Sequence, residues 1–209
     1  DNIDAVGLEM LTTLRPGGVF MGPPLGVAVG DPGRTASIIH SAQSTALSTS
    51  GVPLFVSLDQ EGGANSVVNS ITGGTDTLGG LPTGATLSAD IAFDQFAVMG
   101  RELATLGFNM ALAPVLDTLT STRNGNLNTR SFGPDHALNA VLGVAAMAGF
   151  QQQGVIAVGK HFPGDGLSSN NPHTTMVTVD ADRATLDETL LVPFKAAIDA
   201  GIDGMMTMP

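Results

Sequence analysis

The chain has 209 residues and a formal net charge of −11, with only eight Lys and Arg against 19 Asp and Glu. So acidic a composition excludes nucleic acid and anionic membrane surfaces as favoured partners, and no run of about 18 or more apolar residues is available for membrane insertion. Cysteine is absent, which excludes disulfides and thiolate metal sites, whereas the hydrophobic share of 43% predicts a globular core.

Helices and strands alternate along the whole sequence. Five segments have apolar residues at a helical period, and they lie at 3–14, 34–49, 88–106, 136–152 and 186–200. Five short apolar runs are predicted strands, and they lie at 19–21, 53–58, 109–116, 155–158 and 204–208. The Gly/Thr/Ser-rich segment 64–84 is predicted to be too polar and too flexible to join the core.

The loops that follow the strands are much longer than those that precede them, and the polar clusters lie in these longer loops. This pattern is typical of parallel β/α architecture with a site at the carboxyl ends of the strands. We therefore predict an α/β fold of the (β/α)8 TIM-barrel type, with residues 1–209 forming one domain.

The length of the chain limits how much of such a barrel is present. A closed eight-stranded barrel usually takes about 250 residues, whereas this sequence stops directly after its fifth predicted strand. We therefore expect a barrel truncated after about five β/α units. The remaining strands are expected on a missing segment of polypeptide or on a partner chain.

The most informative stretch follows the fourth predicted strand and begins with Lys160 and His161. Because side chains alternate along a strand, these two are expected on opposite faces. Pro163 and two glycines then prevent a regular element from continuing, so the chain leaves as a polar loop that runs to His173. A loop with no apolar face to bury is normally retained for what it binds.

Several motifs occur in an order that resembles glycoside hydrolase family 3, and especially its β-N-acetylglucosaminidase branch. They are Gly-Gly-Val-Phe at 17–20, Asp-Gln-Glu-Gly-Gly at 59–63, Leu-Pro at 81–82, Asn109 with Ala-Pro-Val-Leu-Asp at 113–117, Arg-Ser-Phe-Gly at 130–133 and Lys-His-Phe-Pro-Gly at 160–164. A single Gly-Gly pair carries no information, but ordered motifs across nearly the whole chain are a specific signal.

The resemblance implies a pair of catalytic groups, since retaining hydrolysis uses a proton donor and a carboxylate nucleophile. The donor maps onto His173, and the position of its assisting acid maps onto Asn171, which can orient the imidazole without adding charge. Asp165 stands where the family often has a histidine and is a possible substitute. The nucleophilic aspartate is expected well beyond the fifth strand, outside this chain.

The resemblance also implies a set of sugar-binding residues. Asp59, Arg130, Lys160 and His161 map onto the side chains that hold the sugar hydroxyls, whereas Ala64 occupies a position where the family often has an arginine. Two carboxylates remain ambiguous from the sequence alone. Glu61 is equally a ligand or a structural hydrogen-bonding group, and Asp117 is expected mainly to accept backbone N–H groups.

These expectations favour a retaining exo-glycosidase that removes terminal β-linked N-acetylglucosamine, without cofactor or metal and inactive as the isolated 209-residue chain. Three alternatives stay open: a non-catalytic carbohydrate-binding relative, a β-glucosidase or phosphorylase of the same family, and a barrel enzyme in which Lys160 forms a Schiff base. The composition fits a protein of the bacterial cytoplasm and an exported one equally well.

Overall fold

A computed structural model describes residues 3–22, 31–120, 126–167, 178 and 181–208. Five parallel strands form one curled sheet, a half-barrel, and their order in the sheet is the order of the chain. The strands are β1 (Gly18–Phe20), β2 (Phe55–Leu58), β3 (Met110–Ala111), β4 (Ile156–Phe162) and β5 (Gly204–Thr207). An unreversed strand order is that of a barrel rather than of a doubly wound sheet, so the predicted fold class is confirmed.

Helices connect successive strands across the outer face of the sheet. They are α1 (Ala5–Thr13), α2 (Pro32–Ser50), α3 (Gly80–Ala85), α4 (Ala89–Leu106), α5 (His136–Gln152), α6 (Arg183–Thr185) and α7 (Val192–Asp199), with a π-helical turn at Leu186–Leu190. Side-chain oxygens of Asp31, Ser88 and Asp135 accept the free N–H groups at the starts of α2, α4 and α5. Left-handed glycines, Gly51 and Gly107, end α2 and α4.

The core lies between the sheet and this helical layer. Phe96 of α4 meets Phe150 of α5 edge to face, with ring centroids 5.1 Å apart, and both rings are buried. Gly149 allows the two helix backbones to approach closely, because a Cβ at this position would lie 2.6 Å from the carbonyl oxygen of Phe93. Aromatic packing and a glycine contact together fix α4 against α5.

The prediction that segment 64–84 lies outside the core is wrong. Val68 and Thr83 are buried, and the segment ends in α3. The buried Gln60 amide, just before the segment, holds it in place, because it donates to the Val68 carbonyl and accepts the Val68 N–H. Gly84 lies so close to the Phe132 carbonyl that a Cβ would be 1.7 Å from its oxygen. Glycine and threonine here permit close backbone packing rather than flexibility.

Two predicted strands differ in extent from those observed. Predicted strand 109–116 keeps regular pairing only at β3, because Pro114 has no N–H to donate and the pairing beyond it is irregular. Predicted strand 155–158 extends to Phe162 as β4, because Lys160 pairs with Met206 and Phe162 pairs with Thr207. Lys160 and His161 therefore belong to a strand rather than to the loop after it. In the described part of the chain, no helix is long and apolar enough to cross a membrane.

Replacing Gly149 by alanine tests the contact between α4 and α5. An unobstructed Gly→Ala change inside a helix stabilises by about 0.5–1 kcal/mol, but the Cβ here would meet two backbone atoms of α4 at 2.6 and 2.8 Å. We expect Gly149→Ala to lower the free energy of unfolding by about 1–3 kcal/mol, measured by urea denaturation followed by circular dichroism.

Gly33→Ala is the matched control for this change. Gly33 is also helical, but its added Cβ would meet only a side-chain oxygen at 3.4 Å, an ordinary contact distance. We expect this control to leave the free energy of unfolding unchanged or slightly raised. An equal response of both variants would contradict the described packing of α4 on α5.

Candidate active site

A cavity of about 230 Å³ opens at the carboxyl ends of the strands. Its wall is formed by Phe20, Asp59, Leu112, Asn126, Arg130, Lys160, His161, Asp165, Met206, Thr207 and Met208. All four sugar-binding residues that the sequence predicts line this one cavity. Their sugar-binding role is a prediction, whereas the fold itself brings the four residues together from three separate parts of the chain.

The floor of the cavity is an ion cluster centred on Glu61. Arg130 holds the carboxylate in a two-pronged contact, Nε to Oε2 and Nη2 to Oε1, each at 2.8 Å. Lys160 Nζ lies 2.6 Å from Oε1 of the same group and 2.5 Å from Oδ1 of Asp59. The side chains of Glu61 and Lys160 are almost inaccessible, whereas that of Asp59 is 40% exposed and faces the opening.

Contacts within the cluster keep Glu61 and Arg130 ionised despite their burial. Burial alone would raise the pKa of Glu61, but the hydrogen bond from Arg130 and the charge of Lys160 outweigh it and lower the pKa to about 2. For Arg130, burial acts to lower the pKa, and the bond and charge of Glu61 raise it above its ordinary value. The charges of Glu61 and Arg130 therefore remain fixed over the whole physiological range of pH.

His161 is oriented by the buried carboxylate of Asp117. The imidazole Nδ1 lies 2.7 Å from Asp117 Oδ2, which also accepts the backbone N–H of His161 at 3.0 Å. Nε2 lies 3.3 Å from Arg130 Nη2, a group that can only donate. These neighbours fit an imidazole with its proton on Nδ1 and an accepting Nε2 beside the cavity. Asp117 thus accepts backbone amides, as expected, and also sets the ring.

Lys160 and His161 do not lie on opposite sides of the sheet, which corrects the expectation from strand alternation. Lys160 pairs with Met206 and Phe162 with Thr207, so His161 is an extra residue in a β-bulge of β4. A bulge redirects the side chains around it. Both side chains consequently face the same cavity.

Asp165 is a further carboxylate of the cavity wall, and it is 1% exposed. Its backbone N–H donates to Asp117 Oδ1 at 2.8 Å, so one carboxylate of Asp117 fixes both His161 and Asp165. Gly166 presses against the neighbouring loop, where a Cβ would lie 1.8 Å from the Thr118 carbonyl oxygen. The loop after β4 is therefore held rigidly as far as the structure describes it.

The buried side-chain amide of Asn139 supports the loops that carry Asp117 and Arg130. The Asn139 side chain, at the start of α5, donates to the carbonyl oxygens of Asp117 and Gly133. Ser131 Oγ donates to the same Asp117 oxygen at 2.6 Å. These bonds tie the loop that carries Asp117 to the loop that carries Arg130, so both charged groups are positioned by one polar network.

The sequence-predicted residues fall into two groups. Asp59, Arg130, Lys160 and His161 come together in the cavity, whereas Asn171 and His173 lie outside the described residues. The sequence analysis left the role of Glu61 open, although this residue is the centre of the ion cluster. It also did not identify Phe20, Leu112 and Met206, which form the apolar part of the cavity wall. A signal for the wall was available, because Phe20 and Met206 lie within predicted strands, and in the structure Phe20 ends β1 and Met206 is the next-to-last residue of β5. Among the described residues, no three His, Asp or Glu side chains could hold a metal ion.

Comparison with known proteins was made for the sequence and for the fold. The model of the glycosyl hydrolase family 3 N-terminal domain matches residues 2–208. A curated β-N-acetylglucosaminidase/β-glucosidase of Cellulomonas fimi is 36% identical over 172 residues, which are 82% of this chain and 30% of that protein. This agreement confirms the resemblance read from the motifs.

Solved structures agree with the described fold. A glycoside hydrolase family 3 β-N-acetylglucosaminidase from Paenibacillus sp. str. FPU-7 superposes with a TM-score of 0.93 at 34% identity, covering 98% of this chain and 38% of that one. A β-N-acetylhexosaminidase from Beutenbergia cavernae DSM 12333 gives a TM-score of 0.85 at 33% identity, covering 98% and 61%. The chain thus spans between 30% and 61% of the length of these relatives.

The depressed pKa of Glu61 predicts an acid-sensitive part of the stability. The unfolded chain takes up the proton near pH 4.5 and the folded chain only near pH 2, so this contribution is complete above pH 4.5 and is lost as the pH falls through about 2. The difference corresponds to on the order of 3 kcal/mol. Urea denaturation between pH 7 and pH 2 measures it.

Glu61→Gln should remove this acid-sensitive part, while lowering stability at pH 7 by about 3–5 kcal/mol because Arg130 and Lys160 lose their partner. The control Glu188→Gln changes an exposed carboxylate of the π-helical turn and should follow the wild-type pH profile. If Glu61→Gln and the wild type lost stability in parallel below pH 4.5, the ion cluster would not be the source of the acid-sensitive stability.

Proposed function

The chain belongs to the glycosyl hydrolase family 3 N-terminal domain family, and on this premise we propose that it forms the sugar-binding part of a retaining exo-β-N-acetylglucosaminidase. The observation that carries the proposal is the convergence of Asp59, Arg130, Lys160 and His161 on one cavity at the carboxyl end of the sheet. The names of the relatives supply the substrate class, and the chain supplies the binding groups.

The cavity has the chemistry that a neutral pyranose needs. Asp59 can accept hydroxyl protons, and the N–H groups of Lys160 and Arg130 can donate to hydroxyl oxygens as charge-assisted bonds. The His161 ring, whose Nε2 accepts from Arg130, forms part of the wall beside them. Phe20, Leu112 and Met206 provide apolar surface for the C–H groups of the ring. A volume of about 230 Å³ suits one ring rather than a long chain, which favours removal of a terminal unit.

Catalysis in this proposal uses groups outside the described cavity. His173 would donate a proton to the leaving oxygen and later activate water, and a carboxylate nucleophile would come from polypeptide beyond residue 209. Asn171 would orient the imidazole without adding charge. The resemblance supports this assignment, since both residues follow the Lys-His-Phe-Pro-Gly motif at 160–164.

A β-glucosidase activity of the same site is a second candidate, favoured by the double name of the Cellulomonas fimi relative. Schiff-base chemistry at Lys160 is disfavoured by its contacts. Its Nζ donates to two carboxylates at 2.5 and 2.6 Å, which are the contacts of an ammonium group, whereas imine formation requires a free amine lone pair. A purely carbohydrate-binding role is separated from catalysis by the tests below.

Hydrolysis of para-nitrophenyl N-acetyl-β-D-glucosaminide by the full-length protein tests the proposal. We expect turnover above that of the matching glucoside, and a loss of about 10²–10⁴-fold in kcat/KM in His173→Ala, since general acid–base catalysis contributes this much. If His173→Ala turned over the substrate as fast as the wild type, the assignment of His173 as the acid/base would be wrong. Binding of N-acetylglucosamine without any turnover would instead support the non-catalytic alternative.

Asn171→Asp tests the position of the assisting acid. A carboxylate beside the imidazole favours its protonated form and fixes its orientation, so we expect kcat/KM to rise several-fold and the basic limb of its pH profile to move to higher pH. Asn170→Asp is the matched control, since it adds the same charge one residue away. Equal effects of the two variants would mean that the added charge, and not the position, is responsible.

A further inference from the structure

The orientation of the Arg130 guanidinium depends on more than its salt bridge with Glu61. We propose that Asp117 is a positioning residue for sugar binding, which acts through the His161 imidazole on the guanidinium of Arg130. The inference rests on the proposed function, because Arg130 is one of the side chains that bind the sugar there. It adds a role for Asp117 beyond accepting backbone N–H groups.

The guanidinium of Arg130 has few donors left for a ligand. Of its five N–H groups, those of Nε and Nη2 donate to Glu61 at 2.8 Å each, and Nη1 donates to the Asn126 carbonyl at 3.3 Å. Nη2 also lies 3.3 Å from His161 Nε2, which takes its second N–H. Among the residues that the structure describes, one N–H of Nη1 therefore remains without an acceptor. Its direction is set by the three groups that hold the other four.

The contact between Arg130 and His161 is favourable in only one protonation state of the imidazole. Because the guanidinium can only donate, Nε2 must present a lone pair to it. In the other neutral tautomer, and in the doubly protonated ring, a proton on Nε2 would meet the N–H of Arg130. The contact therefore requires a neutral ring with its proton on Nδ1.

Asp117 supplies the acceptor that selects this tautomer. The proton position on an imidazole is set by the hydrogen bonds of its two nitrogens, and Asp117 Oδ2 lies 2.7 Å from Nδ1. The carboxylate cannot turn away, because it also accepts the backbone N–H groups of His161 and Asp165. Its own backbone carbonyl accepts from Ser131 and Asn139. A fully buried and fixed acceptor thus determines which nitrogen of His161 faces Arg130.

Two substitutions of Asp117 separate this role from a purely structural one. Asp117→Ala removes the acceptor from both His161 and Asp165. In Asp117→Asn, the amide oxygen can take the place of Oδ2 and keep both bonds to His161, because the opposite orientation would set the amide NH2 against the His161 N–H. The asparagine then loses only the bond from the Asp165 N–H. The tautomer of His161 should therefore survive the asparagine and not the alanine.

NMR spectra of the full-length protein with 15N-labelled histidine measure this tautomer directly. At neutral pH, we expect wild-type His161, identified by the signals that His161→Gln removes, to carry its proton on Nδ1 and none on Nε2. Asp117→Ala should lose this pattern, and Asp117→Asn should keep it. Asp203→Ala is the matched control and should keep it too, since Asp203 accepts the backbone N–H of Ala157 at the other end of β4.

Two results of this experiment would overturn the proposal. A proton on Nε2 of wild-type His161 does so without any variant, and thus also if Asp117→Ala fails to fold. The second result is an Asp117→Ala protein that folds and keeps the wild-type imidazole spectrum, because Asp117 would then not select the tautomer.

Calorimetric titration with N-acetylglucosamine measures the consequence for the sugar. We expect Asp117→Ala to raise the Kd about tenfold or more, as the loss of one charge-assisted hydrogen bond would, and Asp117→Asn to raise it less than about threefold. Asp203→Ala should leave the Kd unchanged. Equal values of Kd for the two Asp117 variants would contradict the action through His161. Failure of the proposed function has a different signature, because the wild-type protein would then not bind the sugar while His161 kept its proton on Nδ1.

Discussion

The site depends on one buried carboxylate, that of Glu61, held between Arg130 and Lys160. Removing a carboxylate from water is costly, and two cations with direct hydrogen bonds offset that cost. The three residues come from the loop after β2, from the turn before α5 and from β4. Without its partners, each of these residues would be an uncompensated buried charge. The three segments that carry them are therefore buried together, and this ion pairing forms the cavity that they line.

The parallel sheet brings these charges to one edge. Asp59 follows β2, Asp117 follows β3, and Lys160 and His161 lie near the end of β4, so neighbouring strands each deliver a charged or titratable group. Behind them, Gln60, Ser131 and Asn139 are buried polar groups that bond to loop backbone. Regular strands therefore set the positions of the loops roughly, and the buried amides and hydroxyl then fix the charged side chains within them.

Sequence reasoning predicted the elements, their order and the four converging residues, since helical period and ordered motifs are local signals. It was less successful where distant contacts decide. Arg130 is 69 residues from Glu61, and Lys160 is 101 residues from Asp59, so no local pattern could make Glu61 the centre of the cluster. The expectation that Lys160 and His161 lie on opposite faces was wrong because the bulge in β4 depends on pairing with β5. The expectation that segment 64–84 lies outside the core was wrong because close packing of glycines leaves no apolar pattern in the sequence.

Charge balance explains why the site suits neutral ligands. Asp59 and Glu61 match the charges of Lys160 and Arg130, and Asp117 directs its oxygens to two backbone N–H groups and an imidazole. The cavity thus presents oriented donors and acceptors with no excess of positive charge. An anionic ligand would gain little from cations already paired and would face Asp59 and Asp165, whereas hydroxyl groups can bond to both partners of each ion pair. The arrangement therefore selects against anionic ligands while it retains the strength of charge-assisted hydrogen bonds.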